Sequence, residues 1–208
     1  MFEGMGGQLP GPTAMVIAAS EFAQNYWWVI LGVLVAIAIA FNRFYKTEKG
    51  RWIVDSLSLK APIFGLLLKK VAVAKFSRTL STMMSSGVPI LEGLNIVSKT
   101  SGNRVVENAL LKTRQSISEG RSIAEPLAET GIFPPMVVQM ISVGEATGAL
   151  DSMLNKIADF YDDEVDAAVT AMTTLLEPVM MVFLGGIVGA MIIAMYLPIF
   201  KMAALAGG

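Results

Sequence analysis

Between Pro178 and Pro198 the chain reads VMMVFLGGIVGAMIIAMYL, residues 179–197, without a single charge. As a helix this stretch would cover about 29 Å, close to the roughly 30 Å hydrocarbon core of a bilayer. Gly185, Gly186, Gly189 and Ala190 set small residues four apart twice over. In membranes that spacing lets two helix backbones approach closely, although glycine is also tolerated on a lipid-facing helix. Glu177 directly precedes Pro178 and reads as an ordinary residue of the membrane boundary. Facing a bundle interior it would be costly and functional.

A second apolar run, YWWVILGVLVAIAIAF at residues 26–41, lies near the other end of the chain. It covers only about 24 Å as a helix. Extension back to Phe22 closes the gap and brings Gln24 and Asn25 to headgroup level. Tyr26, Trp27 and Trp28 at one end, with Phe44 and Tyr45 at the other, match interfacial aromatic belts. A buried core helix, the competing reading, would normally carry a polar residue in its middle turns. Arg43, Lys46, Lys49 and Arg51 follow this run, whereas residues 1–25 hold no Lys or Arg. Only Lys201 follows the second run. Positive charge at span ends marks the cytoplasmic side. The expected layout is therefore an external linker at 1–21, a span at 22–41, a cytoplasmic helical bundle at 42–177, a span at 178–200 and an external tail at 201–208.

Composition agrees. With 54% of residues hydrophobic and 19 glycines in 208, the apolar share reaches about 63%, against about 45–50% in ordinary soluble domains. Mean hydropathy is +0.60. No basic segment precedes the first apolar stretch, so the opening residues do not read as a signal peptide. Cysteine and histidine are both absent, which excludes disulfides, Cys- or His-ligated metals and the commonest general base near neutral pH. A net charge of −1 gives no reason to expect nucleic acid.

Between the spans every segment reads as helix, and no alternating strand pattern bounded by hairpin turns occurs. The predicted fold class is all-α. Val73, Phe76, Leu80 and Met83 form one helical stripe. Ser86-Gly87-Val88-Pro89 ends that helix, glycine suiting a left-handed cap and proline the start of the next helix. Ser101-Gly102-Asn103 is a turn, and Val106, Leu110 and Ile117 share a face of the following helix. Ser122 and Glu125 have capping-box spacing. Phe133-Pro134-Pro135 breaks the chain again. Gly144, Glu145 and Gly148 mark a tight turn. Leu150, Met153, Leu154, Ile157 and Tyr161 then open a long helix expected to run to Glu177 and into the second span.

Motifs for chemistry are missing. The stretch Gly144 to Gly148 lacks the lysine and spacing of a phosphate loop, and a Ser-His-Asp triad needs a histidine. The predicted protein is not an enzyme, with no catalytic residue, cofactor or metal site. Asp159, Asp162, Asp163, Glu164 and Asp166 cluster on the long helix. A solvated face explains them; the functional alternative is a docking surface for a basic partner, carried by Asp159, Asp162, Asp163 and Asp166. Spacing alone is weak support for a divalent-metal site at Asp159 and Asp163. A transporter fragment would require ionisable residues at mid-membrane, and neither span has one.

Seven short stretches in order resemble the PilC/GspF family, the inner-membrane platform of type IV pilus assembly and type II secretion. They are Leu9-Pro10 with Thr13, Leu59 to Gly65, Phe76 to Ser81, Ser86 to Pro89, Gly144 to Leu150, Leu176 to Pro178, and Leu197 to Phe200. The ending MIIAMYLPIFKMA is closer to the pilus branch. The resemblance implies a non-enzymatic scaffold of the bacterial inner membrane that couples a cytoplasmic ATPase to insertion or removal of pilin. Its implied partners are that pilus or secretion ATPase, pilin or pseudopilin subunits, other inner-membrane assembly proteins, membrane lipid and further copies of itself. The family carries two cytoplasmic helical domains and three spans, so this sequence is expected to be the C-terminal portion. A platform of type II secretion is the alternative reading.

Overall fold

A computed structural model describes residues 11–62 and 64–206, with backbone alone at 11–13, 19, 23, 198–199 and 201–206. Leu9, Pro10 and Ile63, and the outer parts of the expected linker and tail, lie outside the described residues. Eight helices and no strand occur among the described residues: α1 Gly11–Tyr45, α2 Glu48–Lys60, α3 Phe64–Ser85, α4 Ile90–Thr100, α5 Arg104–Ser118, α6 Ala124–Glu129, α7 Pro135–Thr147 and α8 Leu150–Ala206. The all-α expectation holds. The chain divides into two compact units. One is Arg43–Met172, and the other comprises the described residues of 1–42 and 173–208.

Turn chemistry fixes the helices of the Arg43–Met172 unit. Thr47 caps α2, its Oγ1 accepting from Gly50 N at 3.1 Å while its hydroxyl donates to Phe44 O at 2.7 Å. At the end of α3, Gly87 takes a φ of +79°. Gly87 N donates to Met84 O at 2.9 Å and Val88 N to Met83 O at 3.0 Å, the paired bonds of a Schellman cap. Pro89 occupies the N-cap position, one residue before the helical start at Ile90. Asn103 caps α5 through bonds of 2.9 and 3.3 Å from Val105 N and Val106 N.

The expected capping box at Ser122 forms by half. Glu125 N reaches Ser122 Oγ at 3.4 Å, but the Glu125 carboxylate turns to Arg121 at 3.2 Å rather than back to the serine. A cation four residues back, ahead of the helix, outbids a main-chain amide for a carboxylate.

The core gathers Val73, Phe76 and Leu80 of α3, Leu94 and Val97 of α4, Val106 and Leu110 of α5, Leu127 of α6, Val137 and Ile141 of α7, and Leu154 and Ile157 of α8. Phe76 and Phe133 meet edge to face with ring centroids 4.8 Å apart. This is the 3.6-residue stripe of each helix turned inward. Met83, expected on the α3 stripe, is only partly buried.

In the other unit, α1 and the distal half of α8 expose apolar side chains almost throughout, including Val33, Leu34, Ile37, Val182, Phe183 and Met191. Among the described residues two helices are thus long and apolar enough to cross a membrane, with windows 0% and 6% buried. The first begins at Gly11, so the expected linker is helical from that residue on. Helix α8 runs 57 residues, through both Pro178 and Pro198. Proline cannot donate the i→i−4 bond, and apolar spans tolerate such a gap better than exposed soluble helices do.

Candidate partner-binding surface

The acidic stretch of α8 faces α3. Arg78 on α3 donates to Asn155 Oδ1 at 2.8 Å, Asp159 Oδ1 at 2.7 Å and Asp162 Oδ2 at 2.6 Å. These three acceptors are spaced four and three apart and so form one stripe along α8. Lys70 Nζ binds Glu164 Oε2 at 2.6 Å, and Ser81 Oγ donates to Asp151 O at 3.0 Å. Partners rise on α3 as they fall on α8, which makes the two helices an antiparallel pair laced by polar contacts beside the apolar core. The bonds it donates to Asp162 and then Asp159 raise the Arg78 guanidinium pKa above its ordinary value, and Arg78 stays charged at every physiological pH.

Two of the four proposed docking carboxylates are therefore already engaged. Asp159 and Asp162 remain about half exposed, at 60% and 52% of their side chains, but share one cation. Asp163 and Asp166 are exposed and make no ion pair among the described residues. Of the four carboxylates, Asp163 and Asp166 are thus the two left without a cation among the described residues, with Asp159 and Asp162 beside them.

The residues expected at the turns do specific work. Gly144 lies inside α7, where an added Cβ would sit 3.0 Å from Leu150 Cα and 3.1 Å from Met153 Cβ. Gly148 ends α7 with a φ of +72°. Glu145, like Gly144, lies inside α7 and not in the turn expected for it, which falls to Gly148. Both its carboxylate oxygens accept from Ile123 N, at 3.1 and 3.0 Å, tying α7 to the start of α6. Ser86 donates back to Thr82 O at 2.8 Å.

In the second unit, Glu177 and Pro178 are exposed on α8, and a Cβ added at Gly185, Gly186 or Gly189 would meet nothing within 4 Å. No described part of this chain packs on the glycine face. Val16 and Ile17 of α1 instead line a cleft with Val188, Met191, Ile192, Ala194 and Met195.

Sequence reasoning missed Asp55. It is 5% exposed, accepts from Arg104 N at 2.7 Å through Oδ2 and from the Tyr45 hydroxyl at 3.2 Å through Oδ1. Arg51 approaches the same carboxylate at 3.8 Å. The only signal was an acid four residues after an arginine in an amphipathic helix, a pattern that surface helices share. No group of three or more acidic, histidine or cysteine side chains able to hold a metal occurs among the described residues.

Residues 76–198 match the family described as type II secretion system (T2SS), protein F. A type IV pilus assembly protein PilC of Myxococcus xanthus is 57% identical over 203 residues, covering 98% of this chain and 49% of that protein. The PilC of Pseudomonas aeruginosa is 43% identical over 208 residues, covering 100% of this chain and 56% of that protein. The type II secretion system protein F of Pseudomonas aeruginosa is 33% identical over 211 residues, covering 100% and 51%. The chain spans about half the length of the curated relatives it matches.

Proposed function

This chain belongs to the type II secretion system protein F family, and from that premise we propose that it serves as an inner-membrane platform of a type IV pilus assembly machine. In this reading it is a scaffold without catalysis of its own. The apolar helices span the bacterial inner membrane, and the 42–177 segment lies in the cytoplasm, oriented by Arg43, Lys46, Lys49 and Arg51. A cytoplasmic pilus ATPase docks on the bundle, and its motion helps move pilin subunits between membrane and fibre. Further copies of the chain are the natural occupants of the open glycine face on α8.

The observation that carries the choice of branch is similarity: 57% and 43% identity to pilus assembly proteins against 33% to a type II secretion protein F. The coupling role draws support from α8, one helix whose residues enter both the bundle core at Leu154 and Ile157 and the apolar segment beyond Pro178. Platform function in type II secretion is the second reading, favoured by the family's own description.

A photoreactive residue at position 163, activated in native membranes, tests the docking surface. Capture of the pilus ATPase is expected. Capture of no ATPase, together with normal piliation in an Asp163→Lys/Asp166→Lys variant, would reduce these carboxylates to a solvated face. Loss of surface pili with intact protein secretion on deletion supports the pilus branch, and the reverse supports the secretion branch.

A further inference from the structure

We propose that α2 lies in the plane of the membrane surface and seats the bundle on anionic phospholipid headgroups. This rests on the reading of α1 as a membrane span. Helix α2 starts at Glu48, only Lys46 and Thr47 separating it from the end of α1 at Tyr45. A chain that short keeps its first residue within about 10 Å of the end of α1, which lies about 6 Å beyond the expected span end at residue 41 and so in the headgroup layer.

One side of α2 is fixed to the bundle. Gly50, Asp55 and Leu59 are buried there, and Asp55 holds Arg104 N at 2.7 Å. That anchoring turns the opposite side outward. It presents Trp52 at 50%, Ile53 at 50% and Leu57 at 69% exposure, with Lys49 and Lys60 exposed on the same side. At 100° per residue these five positions fall within an arc of about 140°. Large apolar side chains flanked by lysines characterise helices that lie at a membrane interface, where the lysine stems cover apolar surface and their heads reach phosphate. Tryptophan favours that same depth.

Charge selects the occupant. Arg43, Lys46, Lys49 and Lys60 are exposed and enter no ion pair among the described residues. Glu48, the one exposed acid of α2, lies outside that arc and pairs with Arg104 at 3.0 Å, a cation it shares with Glu107. The face is thus apolar and cationic with no free acid, complementary to an anionic lipid surface that the α1 tether already brings within reach.

The chain contains no cysteine, so nitroxide labels can be placed singly by Ile53→Cys and Leu57→Cys in the full chain reconstituted in vesicles. Val35→Cys in α1 and Asp163→Cys on the acidic face serve as references. Collision with oxygen and with an aqueous nickel chelate is read by electron paramagnetic resonance. In phosphatidylglycerol-containing vesicles, labels at 53 and 57 should favour oxygen, as the label at 35 does. The preference should shrink in phosphatidylcholine alone and in a Lys46→Glu/Lys49→Glu variant. Labels at 53 and 57 as open to nickel as the one at 163, with 35 still in hydrocarbon, would overturn the inference and leave the spans intact. An aqueous label at 35 would instead remove the span reading, and this inference with it. Shielding of 53 and 57 from both reagents would mean that protein covers the face, and equal insertion in both lipids would remove the role of headgroup charge; either result overturns the proposal.

Discussion

Glu145 holds the Ile123 amide with both carboxylate oxygens, and Ile123 is 6% exposed. Glu145→Ala would leave a buried N–H without its acceptor, a cost of about 1–3 kcal/mol. Denaturant unfolding in detergent should show that loss, with Glu145→Gln intermediate because the amide oxygen still accepts. Gly144→Val should cost about 1–3 kcal/mol through overpacking, since Leu150 Cα at 3.0 Å is backbone and cannot swing aside. Tyr161 gives a pH signature. Burial, and then the neighbouring Glu164 charge, raise its pKa, so the folded chain holds the phenolic proton more tightly than the unfolded one. Its contribution is complete below about pH 10 and is lost as pH rises through the folded pKa. Tyr161→Phe should flatten the decline in unfolding free energy on the alkaline side; an unchanged decline would contradict this.

At the scale of elements, most of the bundle was legible because its helices carry their own punctuation. Gly87, Gly102 and Gly148 all take positive φ, the conformation for which glycine is suited, and the stripes at Val73, Phe76 and Leu80 and at Leu154, Ile157 and Tyr161 are buried as their spacing requires. What stayed hidden were contacts between distant segments. Arg78 meets Asp159 and Asp162 across more than 80 residues, and no helical periodicity encodes which stripe faces which. The same holds for Asp55, whose partner Arg104 lies 49 residues away. The Arg78 pairs are roughly half exposed, so Arg78→Ala should cost no more than about 1 kcal/mol and less at high salt. Ile157, 1% exposed, is different. Ile157→Asp would bury a carboxylate without a partner and should cost about 4 kcal/mol or more. Thermal unfolding of both variants compares the polar edge of the α3–α8 seam with its apolar centre.

For the molecule as a whole, the apolar segments and the bundle divide the chain by solvent. Val182, Phe183 and Leu184 are exposed at 78%, 61% and 60%, a surface that water disfavours and lipid accepts. The bundle instead buries a core of large apolar side chains, and its exposed ones, among them Trp52, Ile53, Leu57, Phe64 and Leu66, are interspersed with charge. The sequence already held this division in the uncharged residues 179–197, whereas sidedness rested on four cations near one span end. The direct measurement is therefore topological. Single cysteines introduced by Ser20→Cys and Asp163→Cys are exposed to a membrane-impermeant maleimide on right-side-out spheroplasts. Labelling at 20 in intact spheroplasts, and at 163 only after permeabilisation, is the expected result. Labelling at 163 in intact spheroplasts, or of both sites in a chain that stays in the soluble fraction, would contradict a platform that spans the inner membrane and presents its bundle to the cytoplasm.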